Sequence, residues 1–145
     1  MNHVFQPYPA YKDSGVPWLG DVPEHWTAQR QRNVIDMHVS NIDKHTAEGE
    51  IPVRLCNYVD VYKSDRITER LPFMRATASQ DEVKRFRLQV GDVVITKDSE
   101  SWNDIGVPAL VEYAAPDLVC GYHLAILRPR EGILHGSYLL RALQS

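Results

Sequence analysis

The stretch Phe86–Val111, FRLQVGDVVITKDSESWNDIGVPALV, decides how the rest of the chain is read. Gly91-Asp92 is a turn signal, and the β-branched run Val93-Val94-Ile95-Thr96 behind it predicts a strand. A second apolar run, Val107 to Val111, predicts its partner. Between them, from Lys97 to Gly106, lie ten residues rich in charge and hydroxyls, with a single Trp. Closing a loop of that length costs entropy, and turn-making alone does not account for it. It is therefore the first place to look for a binding surface.

Upstream, Ser79-Gln80-Asp81-Glu82 forms a capping box and predicts a short helix from about Gln80 to Phe86. Ile51 to Tyr62, IPVRLCNYVDVY, alternates apolar and polar residues and predicts a half-buried strand with Pro52 at its start. Its continuation KSDRITERLPFMR carries Lys63, Arg66, Arg70 and Arg75 and reads as a loop. Thr27 to Val39 predicts a short helix passing into a strand, and Asn41 to Gly49 a polar loop. Residues 1 to 26 hold four of the nine prolines, together with Gly15, Gly20, Trp18 and Trp26. They describe an irregular arm whose two Trp residues are expected to anchor it by burial.

Downstream, Asp117 to Pro129 reads as one more strand, bulged or closely approached at Gly121. The final HGSYLLRALQS starts a helix with Ser137 as its cap and stops abruptly, as a truncated gene or an expressed fragment would. Strands outnumber helices and do not alternate with them regularly. The expected class is α+β: an arm over 1–26, then a single domain over 27–145 with a twisted, mixed or mostly antiparallel sheet and a few short helices.

A chain of 145 residues with 43% hydrophobic and 24% charged residues suits one globular domain. It has no apolar run near 18 residues and no basic-then-apolar leader, so a cytoplasmic protein without membrane contact is expected. Cys56 and Cys120, both in apolar strand-like contexts, are expected to be buried thiols. The formal net charge of −3 argues against a free-standing, non-specific nucleic-acid binder. Residues 50 to 97 nevertheless hold nine Lys or Arg against seven Asp or Glu, between two acidic ends. That zone is compatible with a face that meets phosphate and equally with an ordinary solvated surface.

No phosphate-cradling glycine loop, zinc spacing or nucleophile elbow occurs, so no cofactor or metal is expected. The six histidines are scattered, and His123 reads as a half-buried strand histidine. Glu82-Val83-Lys84, with Asp60 or Asp65 upstream, superficially fits a Mg²⁺-dependent nuclease. That chemistry needs both side chains on one face of a strand, whereas a capped helix turn aims Glu82 and Lys84 apart. The central loop offers more: Lys97, Ser99, Ser101, Trp102 and Asn103 supply a cation, hydroxyls, an aromatic face and an amide, able to contact phosphate or read base edges. Asp98, Glu100 and Asp104 repel phosphate but accept from cytosine amino groups. The alternative is a solvated loop with Trp102 folded onto the core.

Four motifs together resemble a known family: YKDSGVPWLGDVPEHW (Tyr11 to Trp26), FRLQVGDVVITKDSES (Phe86 to Ser101), IGVPALV (Ile105 to Val111) and GYHLAILRP (Gly121 to Pro129). They look like the target recognition domain of the specificity subunit of type I restriction-modification enzymes, and the arm is the most distinctive of them. The resemblance implies a non-catalytic module that reads one half of a bipartite double-stranded DNA sequence. Separate modification (methyltransferase) and restriction subunits then carry out methylation and cleavage. It also implies two such domains in tandem, spaced by long helices, so this chain is expected to be the first domain, ending before its spacer helix. Weak binding by each half-site reader, multiplied by tethering, fits the acidic total. On this reading the Lys97 to Asn103 loop reads bases, and Arg66, Arg70, Arg75, Lys84, Arg85 and Arg87 are candidate phosphate contacts. Two other readings stay open: the nuclease using Glu82 and Lys84, and a fragment that self-associates through surface the spacer helices would cover.

Overall fold

The computed structural model describes residues 6 to 145, and the chain forms two units, one up to Asn33 and one from Val34 to Ser145. In the first unit β1 (Tyr11–Asp13) and β2 (Asp21–Pro23) make an antiparallel hairpin in which Asp13 stands opposite Asp21. Its tip is fixed by backbone bonds: Ser14 N–H donates to the Gly20 carbonyl at 3.0 Å, and the Leu19 and Gly20 N–H groups donate to the Val16 carbonyl. Gly15 and Gly20 take φ of 74° and 67°, a left-handed conformation that disfavours a side chain. Tyr8, Tyr11, His25 and Trp26 pack ring against ring near its base, with centroids 5.1 to 6.5 Å apart. The arm is thus a hairpin rather than an irregular segment. Trp18, expected as a buried anchor, is 85% exposed, because a two-stranded hairpin has no second layer over its own tip.

A one-turn helix, α1 (Gln31–Val34), runs directly into β3 (Ile35–Val39), as the sequence predicts. Then follow β4 (Ile51–Cys56), α2 (Tyr58–Lys63), β5 (Arg66–Ile67), β6 (Met74–Ala78), α3 (Gln80–Phe86), β7 (Val93–Thr96), β8 (Pro108–Val111), β9 (Leu118–Cys120), β10 (Leu124–Pro129) and α4 (Gly136–Gln144). The class is mixed α+β. The strands of this unit do not form one sheet, however, but a five-stranded sheet in the order β3-β10-β7-β8-β5 and a three-stranded sheet in the order β6-β4-β9. Most neighbours are antiparallel; β4 with β9 and β5 with β8 are parallel.

Three segment readings are corrected. The strand expected over Ile51–Tyr62 stops at Cys56, and α2 follows with its own capping box: Asn57 is the N-cap, and the Asp60 carboxylate accepts the Asn57 N–H at 2.8 Å. The loop expected after Lys63 contains β5 and leads into β6. The single strand expected over Asp117–Pro129 is two strands in different sheets, parted at Gly121-Tyr122-His123. Gly121 is the point of crossing. A Cβ there would lie 2.7 Å from the Cys56 carbonyl oxygen, so the close approach read from the sequence is real, although no bulge carries it. Pro52 is tolerated because β9 pairs with β4 only from Arg54 onward, leaving one side of Pro52 without a ladder.

Side-chain alternation along the central strands β10, β7 and β8 of the five-stranded sheet buries both faces there. Val94, Ala109, Val111, Leu124 and Ile126 join Val53, Leu55, Leu118 and Val119 of the other sheet, with Phe86, Leu88 and Val61, in one core. Val93, Leu110 and Leu127 point the other way and meet Ile35 and the apolar stripe of α4, Leu139 and Leu140. Each fully buried Val, Leu, Ile or Phe among them contributes about 1.5–3 kcal/mol. α3 begins at the predicted box, where Ser79 accepts the Glu82 N–H and the Glu82 carboxylate accepts the Ser79 N–H. α4 is capped by His135, whose Nδ1 accepts the Ser137 N–H, rather than by Ser137 itself. Cys56 and Cys120 face each other in register, wholly buried and free, and burial pushes both thiols up.

Candidate nucleic-acid interface

The antiparallel register places the C-terminus of β7 beside the N-terminus of β10, Thr96 opposite Leu124. The chain just before β10 is held there: Lys97 N–H donates to the His123 carbonyl at 3.0 Å, Tyr122 N–H to Ile42 at 2.8 Å, and Gly121 N–H to Cys56 at 2.9 Å. Cys56 passes through Asn57 into α2, which leads to β5 at the same end of the sheet. Three segments far apart in sequence therefore converge on this end: the 97–107 loop, the 121–123 corner and α2.

Thr96 clasps both stems of the loop. Its hydroxyl donates to the Asp104 carbonyl and accepts the Val107 N–H at 3.0 Å, while its backbone exchanges bonds with Gly106 and Val107. Inside the loop Trp102–Asp104 form one 3₁₀ turn, and Ser99 Oγ accepts the Ser101 N–H at 3.2 Å. Trp102 is 81% exposed, not folded onto the core, and Ser101 and Asn103 are exposed beside it. Ser99 Oγ also reaches the Asp104 carboxylate at 3.5 Å. Lys97 is less free than the sequence suggests. Its Nζ lies 2.8 Å from Asp98 Oδ2 and 4.5 Å from the Tyr122 ring centroid, a cation over an aromatic face. The other Asp98 oxygen bonds His123 Nδ1. The Lys97 bond first, helped by the weaker His123 bond, holds the Asp98 carboxyl below its usual range against the opposing effect of burial.

Several residues of this surface were missed by sequence reasoning. His123 is not a strand histidine: it precedes β10, is about half exposed and pairs with Asp98. α2 brings Tyr62, stacked on Tyr58 at 5.5 Å, against the loop. The charge of Asp104, and a hydrogen bond to it, push the Tyr62 phenol above its usual value. Asn57 and Asp60 spaced three apart are the signal that marks this helix, outweighed by the strand-like alternation of YVDVY.

The structure distributes the candidate phosphate contacts widely. Arg66, on β5, is engaged by Glu112 at 2.9 Å. Arg70 is exposed in the β5–β6 connection, and Arg75 is exposed on β6 opposite Arg54. Lys84 and Arg85 occupy the last turn of α3, with the Arg85 guanidinium 4.9 Å from the Phe86 ring centroid. Arg87 caps that helix, and its carbonyl accepts from Arg128 at the opposite end of the five-stranded sheet. None of these cations is brought to the loop in the way that Tyr62, Tyr122 and His123 are. For the nuclease reading, Glu82 and Lys84 stand on a helix, and the Glu82 carboxylate is occupied by Ser79. Among the described residues no group of three or more His, Cys, Asp or Glu is arranged to hold a metal ion. Nor is any helix among them long and apolar enough to cross a membrane.

No family model matches the chain. A curated relative described as the MjaX type I restriction enzyme specificity subunit, from Methanocaldococcus jannaschii, is 21% identical over 126 residues, 87% of this chain and 29% of that protein. The HsdS subunit from Thermoanaerobacter tengcongensis superposes with a TM-score of 0.56 at 20% identity, over 92% of this chain and 30% of the solved one. A solved chain of a type I R-M system, at 19% identity, gives the same TM-score and coverage. The chain thus spans about 30% of the length of the proteins it matches. The resemblance in the motifs, the curated relative and the solved structures all lead to the type I restriction-modification specificity subunits, and this chain has the fold of a stretch of them.

Proposed function

We propose that this chain is a sequence-specific DNA-binding module that reads one half of a bipartite target for a type I restriction-modification complex, in the compartment that holds the DNA. On this reading it has no catalysis of its own, and the modification and restriction subunits of the same system are its partners. One observation carries the reading: the convergence of Trp102, Asn103, Ser101, Tyr62 and His123 at one open end of a sheet whose central strands are buried on both faces. These groups offer a stacking face, an amide, hydroxyls and an imidazole, suited to base edges. Asp98, Glu100 and Asp104 among them disfavour indiscriminate attraction to phosphate. The loop from Lys97 to Asn103 reads bases, and α2 forms its flank. Of the candidate phosphate contacts, Arg70, Arg75, Lys84, Arg85 and Arg87 are exposed and stand outside the ion pairs of the described residues, whereas Arg66 is engaged by Glu112.

The test is retention of the purified chain on randomised duplex DNA at low and moderate salt, followed by sequencing of the bound fraction. Enrichment of a motif of a few base pairs, lost in a Trp102→Ala, Asn103→Ala double variant, is the expected result. Retention without enrichment that fades as salt rises would reduce the role to phosphate attraction and sink the proposal.

A further inference from the structure

The tip of the β1–β2 hairpin carries an apolar group that the reading surface does not use. Trp18 is 85% exposed and Leu19 42%, beside Pro17. Scattered exposed apolar residues are ordinary, but here the exposure is displayed on a built tip. The three backbone bonds onto Gly20 and Val16, the Asp13 carboxylate accepting the Gly15 N–H at 2.7 Å, and the two left-handed glycines fix the chain on both sides of the indole. A tip held in one shape loses little freedom on docking, and Trp is the residue most enriched at the anchor points of protein interfaces.

The neck of the same tip is electrostatically unfavourable. Asp13 and Asp21 are exposed directly opposite one another, a like-charge pair that weakens an antiparallel ribbon. Among the described residues no Lys, Arg or His forms an ion pair with either. Between Tyr11 and Trp26 Lys12 is the one Lys or Arg against Asp13, Asp21 and Glu24. A cationic partner would relieve the repulsion, and a DNA phosphate would worsen it. A second copy of this chain, with its net charge of −3, brings no surplus of cations.

We infer that the hairpin tip is a protein-docking plug, in which Trp18 and Leu19 enter an apolar pocket on another subunit whose rim presents Lys or Arg to Asp13 and Asp21. The choice of that subunit rests on the function proposed above: it is the modification subunit of the same system. The plug shares no residue with the reading surface, so the two can fail independently.

The test is calorimetric titration of the chain with the purified modification subunit at low and moderate salt. Trp18→Ala is expected to weaken binding at least ~30-fold. It should leave the unfolding midpoint and the DNA motif enrichment unchanged, because the indole is 85% exposed. An Asp13→Asn, Asp21→Asn double variant is expected to weaken binding about tenfold at low salt and to remove most of its salt dependence. Equal affinity of the wild type and Trp18→Ala would overturn the inference. So would a Trp18-dependent dimer in sedimentation of the chain alone, which makes a second copy the occupant. A chain that enriches a DNA motif yet does not bind the modification subunit overturns the plug and leaves the reading surface standing. One that does neither overturns both.

Discussion

Two acid–base pairs flank the four residues of β7, Asp92 with Arg128 at its start and Lys97 with Asp98 at its end. The Asp92 side chain is 1% exposed and takes two bonds of 2.8 Å from the Arg128 guanidinium and a third from the Gln89 N–H. Those bonds push the Arg128 guanidinium above its ordinary value, against the effect of burial. Lys97 and Asp98 make one bond of the same length, but here the carboxylate is 43% exposed, and it divides itself between Lys97 and His123. A carboxylate paired with a basic side chain therefore serves as a structural pin at one end and an adjustable contact at the other. Burial makes the difference: a buried charge deprived of its partner is costly, whereas water replaces the partner of an exposed one.

The largest expected effect tests the pin. Asp92→Ala strands a partly buried guanidinium and an N–H, and should cost about 3–5 kcal/mol in urea unfolding. A loss below about 1 kcal/mol would mean that the two pairs are of one kind after all. Next, Lys97→Ala should change stability by less than about 1 kcal/mol while lowering retention on duplex DNA; a larger stability loss would make the loop end structural. The smallest effect is in pH. Because the folded state depresses the Asp98 carboxyl, its contribution to loop order is present above the ordinary carboxylate range and is lost as pH falls through the depressed value. Carbon-detected NMR should show Asp98 titrating below the ordinary carboxylate range and moving upward in Lys97→Ala. An unmoved midpoint would remove Lys97 as the first cause.

Much of the scaffold was legible because its signals are local. The Ser79-Glu82 box and the Val93–Thr96 run each specify their element within a few residues, and both elements stand where predicted. The errors fall where distance decides. YVDVY alternates like a strand, but Asn57 and Asp60 close a helical box, and β5 finds its partner in β8 more than forty residues on. Gly121 could be read as a close approach, yet nothing in its neighbourhood says that the chain changes sheet there. The candidate site was half visible for the same reason. The loop announces itself by length and polarity, while Tyr62 and His123 reach it only through tertiary pairing, and Arg66 is withdrawn by Glu112.

The clasp at Thr96 has a consequence for how such a frame can change. Strand pairing on both sides closes at Thr96 and Val107, so the residues between hang from a buckle and not from the core. Their length and chemistry can be exchanged without repacking Val94, Ala109 or Ile126. Under the function proposed above, target choice and fold stability are stored in separate stretches of one chain, and a new target is reached by refitting the buckle's contents, leaving the frame as it stands.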